Sequence, residues 1–180
     1  MSTAAGRPPR HSGAPIMTSR PPRTPADKPA AYDRALGWLA RREHSRSELR
    51  TKLARGGHAA DEAAAALEAL EAGALQSDAR FAGALARSRA GQGYGPRRIV
   101  AELRSHGIAD AAVRDALAEV DVDWLASARR QLQRQYGRTP ARSAQERARR
   151  AAFLLRRGFD GPTVGALTRA DAGSDDDSFD

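Results

Sequence analysis

Basic side chains are the residues whose type and spacing could do chemistry in this chain. They recur in three groups: Arg46, Arg50, Lys52 and Arg55; then Arg97, Arg98 and Arg104; then Arg147, Arg149, Arg150, Arg156 and Arg157. In each group they fall between the apolar positions of a predicted helix, so they are expected to project outward. Such a series suits recognition of anions, because a guanidinium presents its N–H donors in a fork that matches carboxylate or phosphate. Recurrence in three helices predicts a basic stripe and an acidic partner: nucleic acid, or a protein assembled on it. The competing reading is charge that keeps an Arg-rich helical surface soluble. Aromatic residues make up only 5% of the chain, so sequence-specific reading of single strands by base stacking is not expected.

The other reactive residue types point away from catalysis. Cysteine is absent, which excludes disulfides, thiolate nucleophiles and cysteine-based metal sites and fits a reducing compartment. The histidines His11, His44, His58 and His106 include no pair at i, i+4 and no HExxH pattern, so no metal site is expected. His44, His58 and His106 fall at predicted helix ends, where an exposed imidazole is ordinary. Glu62, Glu68 and Glu71 lie on the outer side of an alanine-rich helix and read as a solvated face. The stretch Gly91-Gln92-Gly93-Tyr94-Gly95 resembles a phosphate loop only superficially. It lacks a preceding strand, a third spaced glycine and a Gly-Lys-Ser/Thr ending, and reads as a helix stop with an extended link. No serine sits in a nucleophile elbow. No catalytic residue, cofactor or metal is therefore expected.

The elements that position the bases are helical. Ala, Leu and Arg dominate and β-branched residues are few, which favours helix over sheet. A first helix is predicted over about 31–42, with Ala35, Trp38 and Leu39 on one face. Ser45-Arg46-Ser47-Glu48 is a capping box, opening a helix that carries Leu49 and Leu53 and stops at Gly56-Gly57. The stripe Ala63, Ala66, Leu67, Leu70 marks a third helix. Ser77 or Asp78 caps a fourth, with Phe81, Ala84 and Leu85. Pro96 opens a fifth, where its missing N–H costs nothing; it carries Ile99, Val100 and Leu103 and ends at Gly107. Asp110 is a candidate N-cap for the sixth, striped by Val113, Ala116, Leu117 and Val120. The seventh, about 122–136, has Trp124, Leu125, Ala128 and Leu132 as its inner side. Ser143 caps an eighth around Leu154, and Val164 and Leu167 mark a short ninth.

These elements repeat. The helix-ending glycines Gly57, Gly107 and Gly158 are 50 and 51 residues apart. Four residues before each comes a leucine, Leu53, Leu103 or Leu154; just after come His58, Ile108 and Phe159. A period of this length predicts a helical repeat array. The expected architecture is all-α: three tandem three-helix repeats forming an elongated, curved array. The boundaries fall at a disordered Pro/Arg-rich tail over 1–30, repeats over 31–76, 77–121 and 122–170, and an acidic disordered tail over 171–180. Neighbouring repeats are expected to stack into one continuous core.

Charge is uneven. The net formal charge is +8, yet residues 171–180 hold five aspartates and no base. The body is therefore more basic than the whole. No apolar run approaches a membrane span, and no apolar segment follows Arg7 and Arg10 as a secretory signal would require. A cytoplasmic, monomeric protein is expected.

The sequence resembles the RecX family of recombination regulators. The likeness lies in Asp78-Ala79-Arg80-Phe81-Ala82, in Ser88-Arg89 leading to Gly93-Tyr94-Gly95-Pro96, and in Arg98-Ile99, Glu102-Leu103-Arg104 and Gly107-Ile108. It extends to Ala35-Leu36, Leu39, Arg46-Ser47-Glu48-Leu49-Arg50 and Lys52-Leu53, and covers about residues 31–169. The resemblance implies three tandem three-helix modules and a non-enzymatic role. It implies a protein that binds the RecA recombinase, lodges in the groove of the RecA–DNA filament and blocks its extension or promotes its disassembly. ATPase and strand-exchange activities would fall, tying the chain to DNA repair and SOS control. The family motif fixes no contact residues, so the basic stripe stands on the residues alone. The alternative is a stand-alone DNA-binding helical repeat protein that contacts DNA directly through that stripe.

Overall fold

Left-handed glycines follow five of the short helices into which the chain folds. The structure, a computed structural model, describes residues 30–170, and the two predicted tails lie outside them. Among the described residues are nine helices and no strand: α1 Ala31–Leu39, α2 Arg46–Arg55, α3 Ala60–Ala72, α4 Asp78–Gly91, α5 Pro96–Ser105, α6 Asp110–Ala118, α7 Trp124–Tyr136, α8 Ala144–Arg156 and α9 Gly161–Ala170. They form three tandem three-helix modules. The close helix pairs lie inside modules, as in α1 with α3, α4 with α6, and α7 with α9.

The same turn joins the second and third helices of every module. Gly57, Gly107 and Gly158 have φ of 79°, 76° and 87°. The next residue's N–H bonds back to the repeated leucine: His58 to Leu53 O at 3.2 Å, Ile108 to Leu103 O at 3.2 Å and Phe159 to Leu154 O at 3.1 Å. This is a Schellman ending, and glycine meets its positive φ without a Cβ penalty. Side-chain caps start other helices: Ser45 Oγ accepts from Glu48 N at 3.0 Å, Ser77 Oγ from Arg80 N at 3.2 Å, and Ser143 Oγ from Glu146 N at 3.1 Å.

Several expectations are corrected. α1 ends at Leu39, short of Arg42, where Arg41 N–H turns back to Trp38 O at 3.0 Å; the Arg42 side chain donates to the Glu43 carbonyl at 2.9 Å and to Glu48. Asp110 is not a cap. Ala109 occupies that place without a side-chain bond, and the Asp110 carboxylate pairs with Arg104 instead. The seventh helix starts at Trp124, since Asp123 caps it by accepting from Ala126 N at 2.9 Å. Leu125 is 38% exposed rather than inward.

The core is also not continuous. Buried apolar side chains form three clusters, one per module, centred on Leu49, Leu53 and Leu67; on Phe81, Ile99 and Leu103; and on Leu132, Leu154 and Phe159. Each triplet buries most of its apolar side chains within itself, leaving Leu75, Leu125 and Leu155 as the large hydrophobics still exposed among the described residues. Among the described residues, partly buried Trp124 alone packs against two of these clusters, the second and the third.

Candidate partner-binding surface

Three local settings fix the basic side chains: exposed helix surface, intramolecular ion pairs, and the joints between modules. On α2, Arg50 and Arg55 are exposed. Arg46 is half-buried and pairs with Glu71, while its backbone N–H donates to Asp78 Oδ1 at 2.8 Å. Lys52 Nζ sits 4.5 Å from the Trp38 ring centre, a cation–π contact. On α5, Arg97, Arg98 and Arg104 are all exposed. Arg104 Nε donates to Asp110 at 3.0 Å. Arg97 and Arg104, two helical turns apart, line an open groove with Val100 and Ala101.

On α8, Arg149 and Arg156 are exposed and Arg147 is half-buried. Arg150 is 5% exposed, against the expectation that it projects outward. Its Nη2 donates to Glu146 at 2.6 Å and its guanidinium lies 5.4 Å from the Tyr136 ring centre. An inward arginine is tolerable because those partners replace water. The cations therefore divide. Arg50, Arg55, Arg97, Arg149 and Arg156 are exposed and form no ion pair among the described residues. Arg46, Lys52, Arg98, Arg104, Arg150 and Arg157 are engaged within the chain, and half-buried Arg147 falls in neither group.

The structure brings Arg98 and Arg157 together from different modules. Their guanidiniums lie 4.8 and 5.4 Å from the Tyr94 ring centre. Arg157 Nη1 also donates to the carbonyls of Gln92 and Gly93, both at 3.3 Å. Backbone bonds complete this joint: Gly95 N–H to Arg157 O at 2.8 Å and Arg97 N–H to Gly158 O at 3.0 Å. The glycine loop is thus more than a link. A Cβ on Gly95 would overlap the Gly158 carbonyl, one on Gly158 would overlap Arg98, and one on Gly93 would overlap Gln131. A tyrosine four residues before an arginine was the available signal for the ring contact; the backbone joint had none.

The joint between the first two modules is made of side chains. Gln76 Nε2 donates to Asp78 Oδ1 at 2.8 Å and to His44 O at 3.3 Å, and Arg80 Nε donates to Glu43 at 2.9 Å. His44 is 2% exposed, contrary to the expected surface imidazole, and its Nδ1 lies 3.0 Å from Glu48 Oε1. Burial pushes the His44 pKa down, outweighing the nearby Glu48 carboxylate. Burial works to raise the Glu48 pKa, but hydrogen bonds from Arg42 and His44 hold it below the ordinary carboxylate value. The His58 side chain is also largely covered, 3.1 Å from Glu62, and His106 packs edge-on against Phe81 with centroids 5.0 Å apart. His11 lies outside the described residues. Glu62, Glu68 and Glu71 are exposed as expected. Between α4 and α5, Arg89 donates to both oxygens of Glu102, at 2.6 to 3.1 Å. That fork holds the Glu102 pKa below its ordinary value.

Comparison with known proteins shows what the chain as a whole is similar to. Models of the first, second and third three-helix domains of RecX match residues 31–70, 77–117 and 121–166. The chain is 46% identical over 138 residues to the regulatory protein RecX of Xanthomonas oryzae pv. oryzae strain MAFF 311018, covering 77% of this chain and 86% of that one. It is 44% identical over 148 residues to the regulatory protein RecX of Halorhodospira halophila, covering 82% and 90%. The crystal structure of RecX from Lactobacillus salivarius superposes with a TM-score of 0.64 at 22% identity, covering 79% of this chain and 94% of that one. A second crystal structure of a regulatory protein RecX gives a TM-score of 0.66 at 23% identity, covering 78% and 70%. No described helix is long and apolar enough to cross a membrane.

Proposed function

The chain belongs to the RecX family of regulatory proteins, and from that premise we propose that it binds the RecA–DNA filament and lowers its ATPase and strand-exchange activities. It thereby tunes recombinational repair and the SOS response. The protein acts in the cytoplasm as a monomer, by occupying a surface rather than by catalysis. The observation that carries this reading, beyond family membership, is the set of exposed bases on the middle helix of each module that form no ion pair among the described residues: Arg50 and Arg55, Arg97, and Arg149 and Arg156. A filament wound on DNA offers an extended acidic target, and three tandem modules distribute charge along it.

The experiment is RecA's DNA-dependent ATPase measured with substoichiometric protein added. Inhibition below one protein per RecA monomer is expected; no inhibition at any ratio removes the proposal. The same free bases favour a second reading, direct DNA binding without RecA. That reading requires affinity that falls steeply with salt and persists when RecA is absent.

A further inference from the structure

The groove between α7 and α9 combines apolar surface with two exposed cations, Arg129 and Arg138, that form no ion pair among the described residues; the third cation lining it, Arg150, is held by Glu146. Leu132 and Leu167 form its floor, at 8% and 7% exposure, and Leu125 its rim at 38%. Arg129, Gln133 and Arg138 flank it around a volume of about 260 Å³. Leu125, Arg129, Leu132 and Gln133 follow i, i+4, i+7, i+8, one stripe of α7. Arg129 and Arg138 are exposed. This surface fits an apolar side chain that arrives with carboxylates beside it.

The chain carries such a segment directly after α9. Residues 171–180 read DAGSDDDSFD, with five aspartates, no base and a single aromatic, Phe179. Leu167, on the groove floor, is one turn before the α9 end at Ala170. An extended chain covers at most about 3.3–3.6 Å per residue, so Phe179 can reach roughly 30 Å from Ala170. The 13 residues of α7 span only about 20 Å at helical rise. Tethering also keeps the effective concentration near the millimolar range, so weak contacts suffice.

We propose that residues 175–180 dock in the α7–α9 groove, with Phe179 against Leu125, Leu132 and Leu167 and Asp175, Asp176 and Asp177 facing Arg129 and Arg138. The docked segment masks part of the basic surface of the third module and competes with an acidic partner for it. This arrangement holds whatever the partner is, so it stands or falls apart from the filament reading.

Absence of cysteine makes a clean test possible. Ser178→Cys gives the full chain one attachment site for a nitroxide. Docking predicts that the label broadens the amide signals of Leu125, Arg129, Leu132 and Arg138 relative to the reduced sample. Adding Phe179→Ala, or Arg129→Glu with Arg138→Glu, restores those signals. Phe179→Ala alters no described residue, so the test survives if the double charge reversal fails to fold. Broadening confined to the last turn of α9 overturns the proposal. So does broadening that reaches Arg50 and Arg55 equally, or broadening that appears between labelled and isotope-enriched chains in a mixture.

Discussion

Replacing Gly158 by alanine tests whether the second and third modules are joined by backbone contact. Two effects act at this position, and other glycines separate them. The φ of 87° costs an alanine about 1–2 kcal/mol, the left-handed penalty. The new methyl would also overlap Arg98, forcing the joint apart. Opening it breaks the bonds from Gly95 N–H and Arg97 N–H, each contributing about 0.5–1.5 kcal/mol net. Together these predict a loss of about 2–5 kcal/mol. Gly107→Ala carries the same conformational cost at φ 76°. Its nearest neighbour there is Ser47 Cβ at 3.6 Å, ordinary contact, so about 1–2 kcal/mol is expected. Gly95→Ala is the reverse control: φ is −84°, which any residue adopts, yet the methyl meets the Gly158 carbonyl. Urea denaturation gives the energies, and hydrogen exchange at the Gly95 and Arg97 amides reads the joint itself. Protection should fall in Gly95→Ala and Gly158→Ala and persist in Gly107→Ala. Equal destabilisation of Gly107→Ala and Gly158→Ala, or protection surviving in Gly95→Ala, would refute the reasoning.

Leu103 is fully buried and Leu155 is 50% exposed. Leu103→Ala should cost about 2–5 kcal/mol and Leu155→Ala within about 0.5 kcal/mol; equal denaturation midpoints would contradict the core assignment. Arg50→Glu with Arg55→Glu should impair inhibition of RecA ATPase while circular dichroism stays unchanged. Arg150→Met should instead destabilise the third module, by about 1.5–3 kcal/mol for the lost charged hydrogen bond, and a stable Arg150→Met protein that merely fails to inhibit would reverse these roles. Buried His44, with Glu48, Arg42 and Lys52 acting on it, has its pKa lowered from 6.5. The unfolded chain therefore binds the proton more readily, and this residue's contribution to stability is present above about pH 6.5 and declines as pH falls below it. His44→Gln should flatten the stability profile below about pH 6.5, and an unchanged slope in that variant would show that His44 is not its source.

The parts of this protein that were legible in the sequence are those governed by local rules. Leu53, Leu103 and Leu154 stand four residues before left-handed glycines, and both positions repeat because each module must end its middle helix and bury one leucine under the turn. Arg150 shows where such rules conflict. It shares a stripe with Glu146 and Leu154 at i±4, so spacing directed it inward while residue type directed it outward. The Glu146 carboxylate one turn earlier was the visible sign that spacing would win. The joints carry no comparable sign. Fifty residues before Gly95 stands Ser45, which caps a helix with its side chain, whereas Gly95 gives its N–H to the next module. Equivalent places in the repeat thus meet different neighbours. The first joint is built from Asp78, Gln76, Arg80 and Glu43 side chains, and the second largely from backbone amides and carbonyls brought close by missing methyls. A repeat in the sequence therefore reports what each module needs internally. The contacts between modules obey no period, and for that reason the division of the basic residues into free and engaged emerges only when the modules are set side by side.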